Sequence, residues 1–178
     1  MWHGYDVSMT LANMITIARA LLIVPILYLF LSGHRVAAFF LFGVSSAGDV
    51  LDGMVARARN EITTWGKALD PAADKALYVS LLFSLYVVGD ISVVAVILFL
   101  APQVALGVGA IALRVKRQAV QGARMIGKAA ALLSFLAIAF LIIGWPGGRG
   151  LFYAAIAATY VATLDYFRAG MAIRGRSS

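Results

Sequence analysis

The chain has 178 residues, 62% of them hydrophobic and 13% charged, with a formal net charge of +7. Soluble domains are about half apolar and about one-quarter charged, so this composition excludes an ordinary soluble domain and implies a membrane protein. No cysteine is present, which removes disulfides and thiolate metal sites from consideration.

About 20 apolar residues span a bilayer as a helix, and six stretches meet that requirement. The first, about 12–32, has only Arg19 as a nearby strong cation and no small-residue cleavage pattern after it, so it is expected to be a retained span. Ser32-Gly33-His34-Arg35 then reads as a short loop before a second span over about 36–57. A polar loop from Arg57 to Lys67 leads to a third span over about 69–88, and Gly89-Asp90 to a fourth over about 91–113. The basic loop from Arg114 to Arg124 precedes a fifth span over about 126–145. The turn Gly144–Arg149 precedes a sixth over about 150–168. The expected fold is therefore all-α: a single polytopic domain, 1–178, of six transmembrane helices.

An even number of spans puts both termini on one side. Thirteen of the fifteen Lys and Arg residues fall on that side, against Arg35 and Arg149 on the other, so it is expected to be cytoplasmic. Charge confined to one face of six spans also argues against nucleic acid as the partner of this basic chain. His34 lies in an opposite loop and His3 near the terminus; neither is assigned a catalytic role.

Four of the eight carboxylates, Asp49, Asp52, Asp70 and Asp74, cluster around the second loop on the cytoplasmic side. Spacings of three and four put each pair on one helical face. The short loop would return the third span antiparallel to the second, so the pairs could face each other. Carboxylates converging in this way need cations between them, and oxygen-only ligands suit Mg²⁺ or Mn²⁺. A single interfacial Asp is commonly a solvated ion pair. Four at these spacings near membrane depth point to function. Gly53 and Ala56 leave a groove along the face of Asp49 and Asp52, Gly66 is in line with Asp70 and Asp74, and Arg57 suits bidentate contact with phosphate. Small residues also serve plain helix packing in lipid. Pro71 either opens the third span with Asp70 as N-cap or interrupts a helix begun near Thr64.

Asp49, Asp52, Gly53, Ala56, Arg57, Gly66, Asp70 and Asp74 form the pattern D-x2-D-G-x2-A-R-x8-G-x3-D-x3-D. This resembles the signature of the CDP-alcohol phosphotransferases at all eight positions, a match expected by chance on the order of 1 in 10⁸ chains. The resemblance implies six transmembrane helices in a homodimer, and transfer of a phosphatidyl group from CDP-diacylglycerol to an alcohol acceptor with release of CMP. It implies that Asp49, Asp52, Asp70 and Asp74 hold two divalent cations, with Asp74 as the general base for the acceptor hydroxyl. It also implies that Asp49, Gly53, Ala56, Arg57 and Gly66 serve the CDP moiety, at a site facing the cytoplasm from the cell inner membrane.

Three further stretches bear on the acceptor. "NMITIAR", with Asn13, Thr16 and Arg19 on one helical face, resembles the N-x-x-T-x-x-R opening of the branch that makes phosphatidylglycerophosphate and cardiolipin. "DPAADK" at 70–75 is similar to the same branch. "IGKAAA" at 126–131 resembles its G-K-x-x-T element at Gly127 and Lys128, with Ala131 in place of Thr. Arg19, Arg114, Arg124 and Lys128 are candidates for the acceptor phosphate; Lys116 and Arg117 read as topogenic charge meeting anionic headgroups. Glycerol 3-phosphate is the expected acceptor, with phosphatidylglycerol or inositol phosphate as alternatives. A cation or proton transporter using the Asp cluster is the reading from a different class; nothing in 91–178 repeats that cluster, which weighs against it.

Overall fold

The computed structural model describes residues 11–59, 64–115 and 125–174, with side chains described over 14–48, 54, 73–109 and 125–168. Among the described residues six α-helices follow one another: α1 (Leu11–Leu31), α2 (Arg35–Arg59), α3 (Thr64–Val88), α4 (Val93–Val115), α5 (Met125–Ile143) and α6 (Gly148–Arg174). Among the described residues there is no strand. The all-helical expectation holds, and most helix ends fall within two or three residues of those expected from sequence. The exceptions are the start of α3 and the end of α6. Helix α3 begins at Thr64 and runs on through Pro71, which settles the choice that the sequence left open. Proline at that position gives up one bond to the carbonyl of Lys67, a loss that membrane helices tolerate where neighbours compensate.

Among the described residues, three helical stretches are long and apolar enough to cross a membrane: Met14–Leu31, Met125–Ile143 and Gly148–Arg168. Within the described side chains, Arg35–Gly48 and Val93–Gly109 are further apolar helical stretches. The last three turns of α2 carry Asp49, Asp52, Arg57 and Arg59. Helix α3 likewise opens with Lys67, Asp70, Asp74 and Lys75 before its apolar half.

The chain forms two compact units, one ending at Val88 and the other beginning at Gly89. In the first, α1 packs against both α2 and α3. Its core contains Ile26 and Phe30 from α1, Ala38 and Phe42 from α2, and Leu77, Leu81 and Leu85 from α3. The outward face of α1 is apolar as well, with Leu21, Val24 and Tyr28 each about 70% exposed. A helix that is hydrophobic on every side belongs in lipid. In the second unit α6 packs against α4 and α5. Phe99 of α4 stacks on Phe152 of α6 with ring centroids 5.2 Å apart, and Ala137, Ile138 and Ile142 of α5 are buried. Gly109 of α4 faces the ring of Phe167, where an added Cβ would come within 3.1 Å.

Glycines end α1 and α5 in the same way. Gly33 has φ +83°, its N–H donates to Phe30 O (3.1 Å), and the N–H of His34 donates to Leu29 O (2.8 Å). Gly144 has φ +78°, its N–H donates to Leu141 O (3.1 Å), and that of Trp145 to Phe140 O (2.9 Å). This paired pattern is the Schellman cap, which satisfies helix-end carbonyls and needs a residue able to adopt positive φ. Helix α4 is capped at its other end, the Ser92 hydroxyl accepting from the N–H of Ala95 at 3.2 Å.

Candidate active site

The four clustered aspartates lie on two helices that both dock on α1. On α2 the buried positions Ala38, Phe42 and Ser45 recur at steps of four and three. The same steps continue through positions 49, 52 and 56, so Asp49, Asp52 and Ala56 occupy the register of the helix's inner stripe. On α3, positions 66, 70 and 73 lead by the same rule into the buried Leu77 and Leu81. The side chains of Asp49, Asp52, Arg57 and Asp70, and the surroundings of Gly53, Ala56 and Gly66, lie outside the described side chains. Arg124 lies outside the described residues, as do Lys116 and Arg117; Arg114 is on α4 with its side chain outside the described set. Lys128 is exposed on the first turn of α5, next to Gly127.

The part of the site with described side chains is built around Arg19. It is 5% exposed, on the inner face of α1 one turn from the equally buried Thr16. The Arg19 Nε donates to the backbone carbonyl of Ser45 at 3.0 Å. Its Nη2 pairs with Oδ1 of Asp74 at 2.5 Å, where the Asp74 side chain keeps 37% of its surface exposed. Gly48 faces the aliphatic stem: a Cβ there would approach Arg19 Cδ to 2.9 Å and Cγ to 3.1 Å. A buried guanidinium is tolerated only where its charge and donors are met, and here one side chain links α1 to both α2 and α3. The Ser45 hydroxyl, also buried, has no hydrogen-bond partner.

Sequence reasoning singled out Arg19 and Asp74 separately, for different tasks; the structure joins them. It missed Ser45 and Gly48, whose parts are a backbone carbonyl and an absent side chain. The only trace of them in sequence is their spacing from Asp49, at minus four and minus one. As for metals, the donors that the motif offers are carboxylates on adjacent turns of two helices, with Asp74 partly open. That all-oxygen chemistry fits hard divalent cations and gives no soft ligand to a thiophilic metal.

A family model for CDP-alcohol phosphatidyltransferases matches residues 9–164. The chain belongs to the CDP-alcohol phosphatidyltransferase family. It is accordingly a transferase of phospholipid metabolism, and the transporter reading falls away. Among its relatives, a probable phosphatidylglycerophosphate synthase of Mycobacterium tuberculosis is 33% identical over 168 residues, spanning 88% of this chain and 79% of that protein. A CDP-diacylglycerol–glycerol-3-phosphate 3-phosphatidyltransferase of Rickettsia prowazekii is 28% identical over 175 residues, spanning 92% of this chain and 96% of that protein. A probable CMP-forming cardiolipin synthase of Drosophila melanogaster is 40% identical, but over 78 residues that span 43% of this chain and 24% of its own.

Proposed function

We propose that this phosphatidyltransferase is a phosphatidylglycerophosphate synthase, converting CDP-diacylglycerol and glycerol 3-phosphate to phosphatidylglycerophosphate and CMP. The observation that carries the acceptor is coverage: a probable phosphatidylglycerophosphate synthase and a glycerol-3-phosphate phosphatidyltransferase align over 88% and 92% of the chain, and the cardiolipin synthase over 43%. The "NMITIAR" opening of α1 agrees with the same branch.

In this reading the chain crosses the cell inner membrane six times as one catalytic domain, has both termini in the cytoplasm and works as a homodimer. Asp49, Asp52, Asp70 and Asp74 hold two divalent cations, Mg²⁺ or Mn²⁺. When bound, these screen the diphosphate and offset charge on the departing CMP. Gly53, Ala56 and Gly66 let the cytidine diphosphate approach the backbone, and Arg57 clamps phosphate oxygens. Asp74 takes the proton of the acceptor hydroxyl as its oxygen bonds to the β-phosphorus. The bond from that phosphorus to the bridging oxygen breaks, and CMP leaves with the electron pair. Holding acceptor and donor in line contributes mainly through orientation. Lys128 and Arg124 at the entrance of α5, with Arg114, supply charge for the acceptor phosphate; Arg19 is the remaining candidate for that task.

Purified protein supplied with CDP-diacylglycerol, Mn²⁺ and one acceptor at a time tests the assignment. CMP release with glycerol 3-phosphate is expected. Release with phosphatidylglycerol or inositol phosphate alone would replace glycerol 3-phosphate by that acceptor.

A further inference from the structure

We propose that Arg19 is a positioning residue, holding the Asp74 carboxylate from its buried side, and not a contact for the acceptor phosphate. The inference rests on the phosphatidyl-transfer reading of the Asp cluster and deepens it.

Three observations support it. Arg19 is 5% exposed, whereas the carboxylate it holds is 37% exposed, so the open side of the pair belongs to Asp74. A phosphate would have to reach a guanidinium that is 5% exposed, past a carboxylate that is 37% exposed. Second, the guanidinium is anchored independently of Asp74, through Nε to the Ser45 carbonyl at 3.0 Å. A side chain meant to reach out to a soluble substrate gains nothing from such a tether, but one that fixes the plane of a carboxylate does. Third, Gly48 gives the stem its seat, since any Cβ there would crowd Cδ and Cγ. Gly48 directly precedes Asp49, so the seat of Arg19 and the first aspartate of the motif are consecutive residues of α2. Through Arg19, the position of Asp74 on α3 is referred to the turn of α2 that carries Asp49.

This explains the residue type. Lysine has one compact ammonium group, without the planar fork that lets Nε take the Ser45 carbonyl while Nη2 takes the carboxylate. It also explains why the charge lies inside an otherwise apolar helix, a placement that topogenic charge does not require.

The test compares wild type with Arg19→Gln, Arg19→Lys and Gly48→Ala in detergent. It measures kcat and KM for glycerol 3-phosphate, and separately Mn²⁺ binding by electron paramagnetic resonance without lipid or acceptor. A positioning role lowers kcat in Arg19→Gln by about tenfold or more and weakens Mn²⁺ binding by a similar factor, with KM for glycerol 3-phosphate almost unmoved. Arg19→Lys recovers part of both losses, and Gly48→Ala shifts both in the same direction by less. Adding Arg19→Gln to Asp74→Asn has little further effect on Mn²⁺ binding, because both act through one carboxylate. A rise in KM for glycerol 3-phosphate of about tenfold with kcat and Mn²⁺ binding unchanged would overturn the proposal in favour of acceptor contact. If the Arg19 variants do not fold, Gly48→Ala decides: weaker Mn²⁺ binding supports the proposal and wild-type binding overturns it. Wild-type protein that releases no CMP with any acceptor would remove the phosphatidyl-transfer reading, while the Mn²⁺ arm still decides the role of Arg19.

Discussion

At the residue scale, the proposed chemistry turns on charges carried by α1, α2 and α3. Asp74→Asn keeps the shape of the side chain and a hydrogen-bond acceptor for Arg19, so the protein is expected to purify folded. Turnover should fall by about 100-fold or more if Asp74 is the base, and activity close to wild type would end that assignment. Asp49→Asn is expected to raise the Mn²⁺ concentration needed for half-maximal activity by about tenfold; an unchanged titration would speak against ligation at Asp49. Sequence alone marks the aspartates because their spacing is local, at three and four residues within helices. It also puts Thr16 and Arg19 on one face of α1, and both are buried there. The pairing of Arg19 with Asp74 joins residues 55 positions apart. Helical periodicity orients a residue about its own axis and leaves open which neighbouring helix it meets. The contribution of Ser45 is less legible still, because any residue has a carbonyl.

Helix boundaries were largely legible because each break carries its own chemistry. Gly33 and Gly144 end α1 and α5 in Schellman caps with positive φ, the one conformation where glycine has a clear advantage. Gly33→Ala or Gly144→Ala is therefore expected to cost about 1 kcal/mol. The readout is a lower midpoint of thermal unfolding in detergent with kcat unchanged; equal midpoints would show that the caps contribute nothing. The start of α3 was less legible, because proline serves equally as the first residue of a helix or as an interruption within one. The observed start at Thr64 puts Gly66, Asp70 and Asp74 on one continuous helix, as their common register requires. Spacing alone does not say that Gly109 packs within the chain, since small residues in membrane helices serve any close approach; here it accommodates Phe167.

At the scale of the whole molecule, the distribution of Lys and Arg makes a topological claim that a native chain without cysteine can test cleanly. A cysteine replacing His34 is expected to react with a membrane-impermeant maleimide in intact cells, and one replacing Arg117 only after the membrane is opened. The reverse pattern would invert the orientation and put the aspartates on the outer face. Family and reaction class follow from the eight-position motif and from the match over residues 9–164. The acceptor is less plainly written, because the residues that would bind its phosphate are scattered basic side chains, a type that membrane orientation also demands. CMP release with one acceptor at a time reads acceptor identity. Purified protein in mixed micelles with CDP-diacylglycerol and Mn²⁺ should release CMP when glycerol 3-phosphate is added, and should form phosphatidylglycerophosphate in equal amount. CMP release with phosphatidylglycerol or inositol phosphate, and none with glycerol 3-phosphate, would contradict the account.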